Sequence, residues 1–192
     1  MGYTSLTSQA LSAPPYLFSF AIVLLTAYAS DRLQSRSIPI LLHSLLAASG
    51  YAVIALAGAL GGPTWLRYLS IYPACAGFFS AITLIITWTV NNQDSDSKRG
   101  TGVAMLNVIG QCGPLLGTRL YPDRDAPFYV RGMAVCAGFM LLVGVLAAAL
   151  RVVLARENER RRRKAHQSGD AGVPLVAGGA WREAEGPFLF ML

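Results

Sequence analysis

The chain has 192 residues, of which 54% are hydrophobic and only 14% charged, with a formal net charge of +6. A soluble domain carries about a quarter charged residues, so this composition excludes an ordinary soluble fold and points to a chain solvated by lipid. The charges are confined to short breaks: residues 1–30, 37–66, 68–93, 100–118 and 132–150 contain no Asp, Glu, Lys or Arg. A helix needs about 20 mostly apolar residues to cross the hydrocarbon core, and a charge at its centre costs at least about 2.5 kcal/mol. The five runs therefore predict an all-α membrane protein with five transmembrane helices.

Residues 1–10 lead into the first expected span, about 11–30. Pro14 and Pro15 stand near its start, where a missing backbone N–H does least harm. No basic stretch precedes this span and no small-residue cleavage pattern follows it, so it reads as a retained helix rather than a signal peptide. It ends at the charged turn Asp31-Arg32-Leu33-Gln34-Ser35-Arg36. The second span, about 38–60, has Pro39 in its first turn and His43 soon after, which reads as an interfacial histidine. Gly61-Gly62-Pro63 end it, and Trp65 and Tyr68 suit an interfacial aromatic belt. The third span, about 69–90, closes on Trp88, also expected at the interface, and on Asn91-Asn92-Gln93.

The loop Asp94-Ser95-Asp96-Ser97-Lys98-Arg99 precedes a fourth span, about 101–120. Its Gly113-Pro114-Leu115-Leu116-Gly117 has the GxxxG spacing that lets helix backbones approach closely, and the proline predicts a kink. The turn from Tyr121 to Pro127 leads to the fifth span, about 129–154. Together these make a transmembrane region over 11–164. Residues 165–192 mix Gly, Ser, Ala and charge without periodicity and read as a disordered tail. Its last five residues, Phe188-Leu189-Phe190-Met191-Leu192, are apolar but too few to span.

Lys and Arg set orientation, because cytoplasmic loops carry the excess. One side receives Arg32, Arg36, Lys98, Arg99 and seven residues from Arg151 to Lys164; the other receives only Arg67, Arg119, Arg124 and Arg131. The first side is expected to be cytoplasmic, with the tail inside and residues 1–10 outside. The basic cluster after the fifth span reads as a stop-transfer signal beside anionic lipid headgroups, not as a nucleic-acid site. Membrane lipids are the expected partners.

Chemistry is sparse. Cys75, Cys112 and Cys136 lie singly in different runs, so neither a zinc site nor a disulfide framework is indicated. No intramembrane carboxylate offers a proton relay, and no nucleophile–base or phosphate-binding motif supports an enzyme or a cofactor. Asn107 and Gln111, four apart, share one face of the fourth span, and amides in hydrocarbon need partners. With the aromatic Tyr16 and Phe79 they are the candidates for a substrate wall, on polarity or aromaticity at mid-membrane depth.

The loops carry a resemblance. The stretch from Ala27 to Arg36, built on Asp31-Arg32 with Arg36 following, resembles a short loop motif of the major facilitator superfamily. The stretch from Ile86 to Gln93, with Trp88, Asn91 and Asn92, then Lys98-Arg99, is similar to a signature of the fungal anion:cation symporter branch, which includes allantoate and nicotinate permeases. Tyr121-Pro122, the stretch from Asp125 to Tyr129, Gly132-Met133-Ala134 and Arg156-Glu157-Asn158 resemble that branch's last loop, last helix and tail start. Where the branch carries small residues and a Thr before the basic pair, this chain has Asp94-Ser95-Asp96-Ser97.

The resemblance covers about residues 2–163 and implies helices eight to twelve of a twelve-helix plasma-membrane transporter for a small organic anion. It implies a conformational role for Asp31, Arg32 and Arg36, and a substrate site between two six-helix halves. The first seven helices are absent, so the expectation is a fragment, from a truncated gene or a partial reading of a longer one, inactive alone without its N-terminal half. The alternative is a non-transporting membrane protein that pairs with or regulates a full-length permease.

Overall fold

The structure, a computed structural model, describes residues 5–167, 176–177 and 188–192. Among these described residues six α-helices follow in order: α1 (Ser5–Leu33), α2 (Ser37–Ala59), α3 (Thr64–Asn91), α4 (Asp96–Gly110), α5 (Cys112–Leu120) and α6 (Val130–Gln167). A 3-10 turn, Asp123–Asp125, lies between α5 and α6. Val176–Ala177 (β1) and Phe188–Leu189 (β2) form a two-residue parallel pair. Among the described residues, α1, α2, α3 and α6 are long and apolar enough to cross a membrane.

The connections follow local chemistry. α2 stops at Gly61, whose φ of +66° is the left-handed conformation glycine adopts freely. Gly62 N–H then donates to Ala57 O at 2.7 Å, closing a Schellman cap. Pro14 and Pro15 lie inside α1, because the helix begins at Ser5, earlier than expected. Pro15 has no N–H for the carbonyl of Leu11. Tyr68 of α3 supplies the missing donor, its hydroxyl 3.1 Å from Leu11 O.

α2 is central, packing on α3 along one side and on α6 along another, while α1 packs on α3. Small residues make the α2–α3 seam. Ala47, Ala48, Ala74 and Ala81 are all buried. A Cβ added at Gly77 would lie 2.5 Å from His43 O and 2.6 Å from Ala47 N; one added at Gly50 would lie 2.6 Å from Ala74 N. The two backbones are thus in near-direct contact, as lipid-embedded helices require when no hydrophobic drive pulls them together. Toward the basic end the seam widens into larger side chains, with Ile40, Leu84, Trp88 and Ala147 buried together. Leu17, Leu24, Leu25, Leu42, Leu56, Leu141, Leu142 and Val145 remain exposed, an apolar surface suited to hydrocarbon.

Three expectations are corrected. The fourth span is not one helix: it breaks at Gln111 into α4 and α5, and neither has a buried residue. Pro114 cannot donate to Gly110 O and its ring crowds that carbonyl, which accounts for the break at Gln111, a residue whose own backbone stays helical at φ −66° and ψ −14°. Gly113 and Gly117 serve no close approach, since an added Cβ at either meets nothing within 4 Å. Trp88 is no outward anchor, being only 5% exposed.

The disordered-tail expectation, 165–192, falls mostly outside the described residues. The helical start of that stretch extends α6 to Gln167, and residues 189–192 fold back onto the bundle instead of lying free.

Candidate functional site

Two of the four candidate wall residues come together. Tyr16 of α1 and Phe79 of α3 place their ring centroids 5.7 Å apart, tilted by 53°. Around them opens a cleft of about 260 Å³ lined by Tyr16, Ser19, Phe20, Val23, Phe79 and Thr83. A second hollow of about 280 Å³, including Ser12, Tyr68 and Cys75, is also lined by Tyr16. Further rings extend the wall: Phe78 packs on Phe79 at 5.4 Å, and Phe18 on Tyr72 at 5.6 Å. The hydroxyls in the first cleft are spent on their own helices, Ser19 Oγ donating to Pro15 O and Thr83 Oγ1 to Phe79 O. The cleft therefore offers flat apolar and aromatic surface and carries no charged side chain.

Asn107 and Gln111 lie apart from this cleft. Both are exposed, and Asn107 Nδ2 donates to Val103 O of its own helix at 3.0 Å. They face outward because α4 packs mainly on the end of α3, where Gly102 approaches Thr89 and Gln93.

The loop motif splits. Arg36 is buried, its side chain 8% exposed, and pairs with Asp31, which is 63% exposed. Arg36 Nη1 also donates to Ser30 Oγ at 3.0 Å, and that hydroxyl donates to Ser35 O. Arg32 points away and donates to Tyr28 Oη at 3.1 Å. Arg151, outside the motif, reaches back from α6 to Ser37 Oγ at 2.7 Å and Ser35 Oγ at 3.3 Å. One turn between α1 and α2 is thus held by two guanidinium groups, the planar forks suited to such multiple bonds.

The signature residues divide likewise. Lys98 and Arg99 pair locally with Asp94 and Asp96 at 2.8 and 3.0 Å. The Lys98 ammonium beside Asp94 holds its carboxyl below the ordinary range. Trp88, Asn91 and Asn92 instead all contact Met191, about a hundred residues on. Sequence reasoning also passed over the packing partner of His43, whose Nε2 lies 2.8 Å from Thr26 Oγ1 of α1. A histidine and a threonine at these positions give no pairing signal without the α1–α2 geometry.

These features define a multi-pass helical integral membrane protein. Comparison then places it beside fungal transporters. The chain is 26% identical to the MFS-type transporter cnsO of Penicillium expansum over 84% of its length, covering 32% of that protein. It is 31% identical to the MFS transporter prlL of a fungal species, strain NRRL 50135, over 91% of its length and 35% of that protein. It is 23% identical to the high-affinity nicotinic acid transporter of Saccharomyces cerevisiae over 91% of its length and 32% of that protein. The chain spans about a third of the length of the curated relatives it matches. No protein-family profile matches it, and no solved structure does.

Proposed function

We propose that the chain forms part of a major facilitator superfamily transporter of the fungal anion:cation symporter branch. In this reading it contributes one wall of the path for a small organic anion, moved by alternating access across the plasma membrane. The observation that carries this reading is the similarity to named transporters along 84–91% of the chain. The Tyr16–Phe79 cleft adds a structural reason. A planar ring bearing a carboxylate, of the nicotinate type, stacks well on tilted aromatic faces.

In this reading Asn107 and Gln111, exposed on α4 and apart from the cleft, form a separate polar stretch of the same wall. The basic end, with Arg36, Arg151 and the arginines of α6, faces the cytoplasm on the positive-inside rule. The cleft is an open wall, so transport needs an opposing surface, supplied by other helices.

The exposed α4–α5 region favours a second reading, in which a full-length permease covers it and this chain acts as a regulator. Co-purification distinguishes the two, because the regulator retains a permease through detergent extraction. The transport reading itself is tested by binding of labelled nicotinate to the chain in lipid nanodiscs. Saturable binding that weakens in Phe79→Ala supports it; no binding of nicotinate, allantoate or a related carboxylate overturns it.

A further inference from the structure

The segment 189–192 is gripped from three helices at once. Asn158 of α6 reads both polar groups of Phe190, its Nδ2 donating to Phe190 O and its Oδ1 accepting from Phe190 N–H, each at 2.8 Å. Asn92, which caps the end of α3, does the same for Met191, with Nδ2 to the carbonyl at 3.2 Å and Oδ1 from the N–H at 2.7 Å. In an extended chain the N–H and C=O of one residue point to one side and those of the next to the other. The two amides therefore flank the segment as neighbouring strands would. Trp88 Nε1 adds a second donor to Met191 O at 2.8 Å, and Leu192 O accepts from Arg36 N–H of the α1–α2 turn at 2.7 Å.

Side chains give this seat a preference. Leu189 and Met191 are buried. Asn91 Nδ2 lies 3.4 Å from Met191 Sδ. The Arg161 guanidinium stands 4.5 Å over the Phe190 ring, a cation–π distance. Phe190 also borders an apolar cavity of about 470 Å³ between α3 and α6, lined among others by Ile85, Val143 and Leu150. Backbone reading by paired amides together with pockets for alternate side chains is the logic by which grooves bind extended peptides.

We infer that the basic ends of α2, α3 and α6 form a docking site for an extended apolar peptide. Its occupant is this chain's own segment 189–192, a releasable latch that ties the three helix ends together. The inference does not depend on the transport reading. No covalent bond holds the segment, and each contact is of a kind that exchanges with water or a competing peptide.

Hydrogen exchange on the full chain in lipid nanodiscs tests it. The Phe190 and Met191 amides should exchange at least roughly ten-fold more slowly than an unstructured peptide, and Asn92→Leu or Asn158→Leu should each remove about that much protection. Protection along α2 and α3 should persist, which shows that the bundle is intact. A second variant leaves the groove untouched: Phe190→Asp in the full chain unseats the segment. A labelled synthetic peptide of residues 186–192 should then bind this variant at least roughly ten-fold more tightly than wild type, whose tethered segment competes at an effective concentration on the order of millimolar. Unprotected Phe190 and Met191 amides in wild type, protection that survives both asparagine substitutions, or peptide binding that is absent from or equal between the two chains overturns the inference.

Discussion

Replacing Gly77 by alanine tests whether the α2–α3 seam holds the bundle together. The added methyl carbon would lie 2.5 Å from His43 O, 2.6 Å from Ala47 N and 2.9 Å from Ala47 Cβ. The first two are backbone atoms of a helix, so no side chain can swing aside. To restore ordinary contact α2 and α3 must separate by about 1 Å along this stretch. That separation also loosens Ala47 against its buried neighbours Ala48 and Ala81.

Overpacking a well-filled interior costs about 1–3 kcal/mol, and a rigid backbone on the far side puts Gly77→Ala near the upper end. The control is Gly117→Ala in α5, where an added Cβ meets nothing within 4 Å. There alanine gains helix propensity, so the change should be neutral or stabilising by up to about 1 kcal/mol. Denaturant-induced unfolding in mixed micelles, followed by far-UV circular dichroism, reads both. The reasoning fails if Gly117→Ala is the more damaging change, because the GxxxG would then be the true packing motif. Equal effects at the two positions would refute it as well.

Three further outcomes are expected. Tyr68→Phe should cost about 1 kcal/mol by leaving Leu11 O without a donor. In a Pro15→Ala background the new N–H satisfies that carbonyl, so the double-mutant cycle should show a coupling of about 1 kcal/mol rather than additivity. Arg36→Met should destabilise by about 1–3 kcal/mol through loss of its buried bond to Ser30 and its partly buried pair with Asp31, whereas exposed Arg32→Met should stay within about 0.5 kcal/mol; matched losses in unfolding titrations would contradict the split seen in the loop motif. Lowering pH should remove the small contribution of the Asp94–Lys98 pair. The folded carboxyl titrates below its unfolded value, so that contribution is present above the ordinary carboxylate range and lost as pH falls through the depressed value. Asp94→Asn should abolish this pH dependence, and an unchanged acid profile in Asp94→Asn would count against it.

The apolar runs made the long helices legible, because lipid exposure imposes length and charge limits that any reader of residues can apply. Residues 38–60 anticipated α2 closely, while α1 and α6 run beyond their expected ends. Charge-free length says where hydrocarbon ends, not where hydrogen bonding does. The fourth run misled for a related reason: its composition suits a span, but Gly110, Gly113 and Pro114 together deny it one continuous helix. The seam glycines were hidden. Gly77 has no glycine partner in a GxxxG spacing, and its role appears only when Ala47 arrives from another helix. Trp88 stands at the end of its run, where interfacial tryptophans usually sit, yet its hydrogen-bond partner lies 103 residues away. No local pattern announces so distant a contact. Tyr16 and Phe79 were legible as aromatics at similar depth, and their juxtaposition follows from the packing of α1 on α3. Asn107 and Gln111 share a face as the four-residue spacing requires, but nothing in that spacing says what the face meets.

Equilibrium binding of radiolabelled nicotinate to the chain in lipid nanodiscs, compared across wild type, Tyr16→Ala and Phe79→Ala, bears most directly on the proposed role of this cleft. An aromatic contact is worth about 1 kcal/mol, so each substitution should weaken binding roughly five-fold while leaving the unfolding transition in place. Binding that is equally strong in all three proteins, or absent from the wild type for nicotinate and related carboxylates alike, would contradict the account.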